Sequence, residues 1–132
     1  MSNEREKEAI WYDLDCRKDG LSLQNANRLI KALSLIKAKN EKAYEIATDR
    51  IEYYDTSYLK KAKGLMIDPK DPLYEGLVFV VVSGNCSVFT FLHEIAHVVL
   101  GHKTHKRFSN LKEANRQEQQ ANEQAEKWLK GR

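Results

Sequence analysis

The chain has 132 residues, of which 42% are hydrophobic and 31% are charged, and its formal net charge is +3. This length and composition predict one compact domain with a small core, spanning residues 1–132. The longest apolar run, around residues 77–82, is far too short for a membrane span of ~20 residues. The small positive excess makes nucleic acid an unlikely direct ligand. The charged N-terminus lacks the apolar segment of a secretory leader, so we expect a cytoplasmic protein with no membrane partner.

The two cysteines do not indicate a metal or redox motif. Neither Cys16 nor Cys86 has a partner at CxxC spacing. We therefore predict that both thiols are reduced and act as small, partly buried hydrophobic residues.

The N-terminal part, residues 1–60, is predicted to be helical. Residues 3–18 form either a first helix or a loosely ordered arm, which ends at the turn signal Asp19-Gly20. From Ser22 onward apolar residues recur at helical spacing, and Asn40 is a candidate cap for a further helix. The apolar positions of these two helices are Ala26, Leu29, Ile30, Leu33 and Ile36, then Ala43, Tyr44, Ile46, Ala47 and Ile51.

The remainder, residues 61–130, is predicted to combine short strands with two helices. Residues 65–67 are a short strand candidate, and the β-branched run at residues 77–82 is the best strand signal in the chain. A helical pattern then extends from Val88 to Leu100, with Gly101 as its stop, and a last helix follows over residues 111–130. The predicted fold is α+β, a mainly helical domain with a two- to three-stranded sheet beside the helix that carries His93.

The chemistry-bearing motif is His93-Glu94-Ile95-Ala96-His97. His93 and His97 are one helical turn apart, so both imidazoles project from the same face and can share one metal ion. Glu94 points to one side of this pair, where it can reach a metal-bound water. Zinc lowers the pKa of such a water from 15.7 toward ~7, and a carboxylate can then act as general base. The motif predicts a zinc-dependent hydrolase with Glu94 as its catalytic residue.

A catalytic zinc needs a third protein ligand and an open position. His102 lies five residues after His97, one short of the spacing at which metzincins place their third histidine, and Leu100 replaces the glycine of that motif. His102 is therefore a poor ligand but a candidate for contact with substrate or transition state. Glu118 on the last helix is the better candidate, because Asn122 follows one turn later and can orient a ligating histidine as a second-shell residue. The other carboxylates of this helix, Glu113, Glu123 and Glu126, have no such partner.

Two segments together resemble the ImmA/IrrE family of metallopeptidases. Residues 91–102, FLHEIAHVVLGH, resemble the metal-binding helix of that family. The pattern Glu118-x-x-Ala121-Asn122-x-x-Ala125 resembles its second motif, Glu-x-Glu-Ala-Asn-x-Phe-Ala. The resemblance covers roughly residues 60–130. It departs at Gln124, where the family usually has Phe, and at Trp128 and Leu129, which replace the family's usual Leu-Leu-Met-Pro ending.

This resemblance implies a gluzincin-like site that spans two helices. His93, His97 and Glu118 would hold Zn²⁺, and Glu94 would be the catalytic acid and base. Members of the family often occur on phages and mobile elements and typically cleave a helix-turn-helix transcriptional repressor. The resemblance therefore implies a protein substrate of that class.

Two other functions remain open from the sequence. A protein with this fold could act without turnover, as a binding module that regulates a partner through the basic segment at residues 103–107. The presence of Glu94 favours the enzyme, since a purely structural zinc site does not need it. The helix pair over residues 22–51 also raises the hypothesis of a DNA-binding helix-turn-helix, which ranks last because the break between the helices contains no glycine.

Overall fold

The structure is a computed structural model that describes residues 4–55, 78–82, 86–101 and 111–130. Within these residues the chain is mainly helical with one small sheet, which confirms the predicted α+β class. The elements in chain order are α1 (Glu4–Leu14), a 3-10 helix (Asp15–Lys18), α2 (Leu23–Lys39), α3 (Glu41–Asp49), β1 (Ile51–Asp55), β2 (Val78–Val82), α4 (Val88–Val99) and α5 (Leu111–Lys130).

Helices α2 and α3 form where the apolar spacing predicts them. The Ser22 hydroxyl accepts a hydrogen bond from the Asn25 backbone N–H at 3.2 Å and caps the start of α2. The apolar face of α2 is buried along its length. Asn40 ends α2, and its side chain accepts from the Ala43 N–H at 3.0 Å to begin α3. The cap predicted at Asn40 is confirmed, and the pair forms one wall of the core.

The prediction that Ile51 lies on a helix is wrong. Helix α3 ends at Asp49, and Ile51 begins strand β1, in which Ile51, Tyr53 and Asp55 are buried while the residues between them are only partly so. Ala47 and Ile51 are four apart, which fits a helical face, but the run Ile-Glu-Tyr-Tyr also alternates and is rich in β-branched and aromatic residues. The pairing with a second strand decides between these two patterns.

The sheet of the described residues has two parallel strands, β1 and β2, in the register Ile51↔Val78 to Asp55↔Val82. The strand predicted at residues 77–82 is confirmed over Val78–Val82. The strand predicted at residues 65–67 lies outside the described residues. The Tyr53 ring meets the Phe91 ring of α4 edge-on, with 6.1 Å between centroids. The sheet therefore packs beside the helix that carries the histidines, as predicted.

Helix α4 lies at the centre of the fold, packed against α2, α5 and the sheet. Phe91, Leu92 and Ile95 are fully buried. The helix ends at Val99, and Gly101, the predicted stop, follows with a φ of +77°, the left-handed conformation that glycine adopts without strain. Helix α5 contributes Ala121, Ala125 and Trp128 to the same core. Among the described helices, none is long and apolar enough to cross a membrane.

Candidate metal centre

Helix α4 presents His93 and His97 on one face, as their spacing predicts. The two Nε2 atoms are 3.2 Å apart, and the rings are perpendicular, with centroids 4.7 Å apart. His97 is buried, with 5% of its surface exposed, and His93 is partly buried. Both rings are thus held at the inner side of the helix, where α4 meets α5.

Helix α5 brings Glu118 to this pair. Its Oε1 lies 3.0 Å from His93 Nε2, and its Oε2 lies 3.1 Å from His97 Nε2. The Glu118 side chain is 59% exposed, so the cluster opens to solvent on the α5 side. The structure brings together the three residues that the sequence predicts as ligands, from helices separated by the segment 102–110.

The three short contacts among these side chains cannot all be hydrogen bonds. An imidazole Nε2 has one in-plane position, which holds either a proton or a lone pair. If both Nε2–H groups donate to Glu118, two protonated nitrogens face each other at 3.2 Å. If His97 instead donates to His93, the lone pair of a carboxylate oxygen meets a nitrogen that has no proton to offer. Either way one contact of the triangle is unfavourable.

A cation at the centre of the triangle would satisfy all three groups at once. Tetrahedral ligands bound to one zinc ion at ~2.0–2.2 Å lie about 3.3 Å or slightly more from each other. The observed separations of 3.0, 3.1 and 3.2 Å are close to that value. One ligand atom from each of the three residues lies within 4.8 Å of the other two. The cluster of His93, His97 and Glu118 could therefore hold a metal ion.

Glu94 lies beside this cluster without belonging to it. Burial of the carboxyl group is the main reason why its pKa is raised above the ordinary value. The imidazole of His93 acts in the opposite direction, and the charge of Glu118 raises the pKa further. A carboxyl with a raised pKa holds a proton more readily near neutral pH, which suits a group that takes and returns one.

The other two predicted site residues are not part of the observed cluster. Asn122 is exposed on α5, and the structure shows no hydrogen bond from it to either histidine, so its orienting role stays a prediction. His93 Nδ1 is buried and finds no hydrogen-bond partner among the described residues. His102 lies outside the described residues, as does the segment 103–107.

A polar connection between α2 and the start of α4 was not predicted from the sequence. Arg28 donates from Nη1 to the Cys86 carbonyl oxygen at 2.8 Å, and the Cys86 thiol donates to Asn25 Oδ1 at 3.5 Å. Asn25 is fully buried, although asparagine is rarely so unless it is hydrogen-bonded. Asn25 lies next to Ala26, on the apolar face of α2, and this position could have indicated a buried asparagine with hydrogen-bond partners. These bonds hold the backbone at Cys86, immediately before α4, the helix that carries both histidines.

The prediction that both cysteines are at least partly buried is confirmed for Cys86 and wrong for Cys16. Cys86 is buried, and burial raises the pKa of its thiol. Cys16 is exposed, because it lies on the 3-10 helix, none of whose residues is buried. Both are free thiols.

Comparison of the chain with protein-family models, with curated proteins and with solved structures finds no match. The site is therefore described from its geometry alone. Two helices bring two imidazoles and a carboxylate together in a cluster that could hold a metal ion.

Proposed function

We propose that this protein is a zinc-dependent endopeptidase of the cytoplasm. The observation that carries the proposal is the triangle of His93, His97 and Glu118, together with Glu94, whose carboxyl has a raised pKa and lies within the electrostatic reach of His93 and Glu118. A set of two histidines and one glutamate is typical of catalytic rather than structural zinc, because it leaves a fourth position open. Structural zinc sites mostly use four ligands rich in cysteine, and neither cysteine of this chain is part of the cluster.

Each residue then has a distinct task. His93, His97 and Glu118 hold the ion. Zinc, when bound, supplies a Lewis acid that lowers the pKa of a water molecule and polarises a peptide carbonyl. Glu94 accepts the proton of that water on its carboxylate and returns it to the leaving amine. Because burial raises the pKa of Glu94, the protonated form needed for the second half of this cycle is easier to reach at neutral pH.

The proposed substrate is a protein, specifically a helix-turn-helix transcriptional repressor. This part rests on the resemblance of residues 91–102 and of the Glu118 motif to the ImmA/IrrE family, often encoded by phages and mobile elements. The partial exposure of Glu118 leaves the open side of the cluster accessible from solvent, as a macromolecular substrate requires.

A second candidate is a binding module that holds metal and regulates a partner without cleaving it. The absence of an observed partner for His93 Nδ1 among the described residues is compatible with a site that is not tuned for turnover. The raised pKa of Glu94 favours the enzyme.

The test combines metal content with cleavage. Zinc per chain is measured by elemental analysis of protein purified without added chelator. A repressor encoded beside the gene is then incubated with wild type and with Glu94→Gln, and new N-termini are mapped by mass spectrometry. We expect one zinc per chain in both proteins and cleavage by wild type alone. Absence of zinc would remove both metal-dependent functions, and equal cleavage by Glu94→Gln would refute the proposed mechanism.

A further inference from the structure

Helix α5 has two halves of different character. Its C-terminal half buries Ala121, Ala125 and Trp128, which recur at helical spacing and face the core. By contrast, residues 115–120 are all polar, and this stretch carries Glu118. No apolar side chain of residues 115–120 can therefore hold this part of α5 on α4.

The polar contacts that remain for residues 115–120 are weak anchors. Arg116, Gln117 and Gln120 each take part in a polar interaction, but such contacts replace equivalent ones with water and contribute little net stability. Glu118 is 59% exposed, so water screens its contacts with the more buried histidines and these contacts contribute little. Most of the stability of a helix in a protein comes from the packing of an apolar face, which residues 115–120 lack.

The metal-free triangle adds no strong anchor either. Only two of its three contacts can be hydrogen bonds at once, so His93, His97 and Glu118 are incompletely satisfied when they meet without a cation. A divalent ion removes this conflict and joins α4 to α5 through one shared centre. The free energy of metal binding is thus available to hold residues 115–120 of α5 in place.

We infer that zinc orders residues 115–120 of α5 against α4, whereas residues 121–130 remain docked without metal. This inference rests on the zinc site of the proposed function. As a consequence, residues 115–120 of α5 cover the histidines of the site only when zinc is bound. Without zinc, the carboxylate of Glu118 detaches together with the helical turn that bears it, and the two histidines of α4 become more exposed on that side.

Hydrogen–deuterium exchange of the full chain, with one equivalent of zinc and in chelator, tests this inference. The first four N–H groups of an α-helix lack an intrahelical acceptor, so the informative amides of α5 begin at residue 115. We expect zinc to slow exchange at residues 115–120 by roughly tenfold or more, and at residues 121–130 by less than about twofold. In Glu118→Ala, exchange at residues 115–120 should be equally fast with zinc and in chelator. Glu94→Gln, which keeps all three ligands, and Glu126→Ala, an exposed glutamate of the same helix, should retain the slower exchange with zinc.

Fluorescence of Trp128 gives an independent measurement in a Trp11→Phe background, since the chain has two tryptophans. Trp128 is only 2% exposed, so its emission should remain that of a buried indole in chelator. A red shift on removal of zinc would show that the C-terminal half also detaches, which would overturn the division of the helix.

Zinc content is measured in the same samples, so that the possible failures can be told apart. If zinc binds and residues 115–120 are equally protected in chelator, the inference is wrong and the proposed enzyme is unaffected. If zinc protects residues 115–130 to the same extent, α5 docks as one unit and the inference is wrong. If zinc does not bind, the inference and the proposed function both fail. If zinc orders residues 115–120 but no substrate is cleaved, the inference stands and the endopeptidase proposal fails.

Discussion

Replacement of Glu118 by alanine should affect the metal-free and the metal-loaded protein very differently. Without metal, Glu118 makes at most two contacts, with His93 and His97, and a contact of a carboxylate that is 59% exposed is worth ~0–1 kcal/mol. For a chain of this size 1 kcal/mol corresponds to roughly 3–5 °C in Tm. In chelator the Tm of Glu118→Ala should therefore lie within about 5 °C of wild type.

With zinc the difference should be much larger. A ligand present at about 1,000 times its Kd stabilises the folded state by ~4.1 kcal/mol, which corresponds to roughly 12–20 °C for this chain. Loss of one of three ligands weakens binding by at least the ~10–100-fold seen when a second-shell partner is removed. At 100-fold weaker binding the same zinc concentration contributes only about 1.4 kcal/mol, or roughly 4–7 °C.

Thermal unfolding followed by circular dichroism, with chelator and with a fixed excess of zinc, measures both quantities in one series. Glu126→Ala is the matched control, because it removes an exposed glutamate from the same helix without touching the cluster. Equal zinc-induced shifts in wild type and Glu118→Ala would refute the assignment of Glu118 as a ligand. If Glu126→Ala loses as much of the zinc-induced shift in Tm as Glu118→Ala does, the effect comes from the loss of a negative charge on α5 and not from the loss of a ligand.

Three further outcomes follow from the structure. In chelator, the raised pKa of Glu94 means that the folded state binds its proton more tightly, so the contribution of Glu94 to stability should fall as pH rises from the ordinary value of 4.5 through the raised one. Glu94→Gln should accordingly be more stable than wild type at pH 7 and lose that advantage near pH 4, as urea unfolding at both pH values would show; an advantage independent of pH would contradict this origin. Iodoacetamide should modify Cys16 rapidly and Cys86 only on unfolding, as peptide mass spectrometry can establish, and equal rates would contradict the observed burial. Asn40→Ala removes the cap of α3 and should lower the free energy of unfolding by ~1 kcal/mol, whereas Asn40→Ser should lower it less.

The helices and the candidate ligands could be predicted from local patterns. Helices α2 and α4 have apolar residues at helical spacing, and the polar α5 retains a narrow apolar stripe, so one face of each helix is unambiguous. The two histidines are four apart on one of these helices, which fixes their relation without any knowledge of the fold. Glu118 could be proposed as their partner because Asn122 and Ala125 complete a recognisable pattern around it.

The features that escaped prediction depend on contacts between distant segments. Strand β1 is only five residues long, and Ile51 continues the helical spacing of α3 so well that only the pairing with β2 shows it to be a strand. The raised pKa of Glu94 depends on how the neighbouring helices bury it, which residue spacing does not determine. Asn122 has the right spacing to orient a ligating histidine, yet it is exposed and makes no hydrogen bond to His93 or His97.

The bond from Arg28 to the Cys86 carbonyl has a consequence for how this protein can evolve. It couples the N-terminal helices to the first residues before α4, although the described residues of those helices contribute no ligand to the metal cluster. Substitutions at Arg28 or Asn25 would remove bonds that hold the backbone at Cys86, next to the start of the helix that carries His93. Selection on the chemistry of the cluster should therefore restrict sequence change in the N-terminal helices, and homologues that keep the histidines should also keep a donor at position 28.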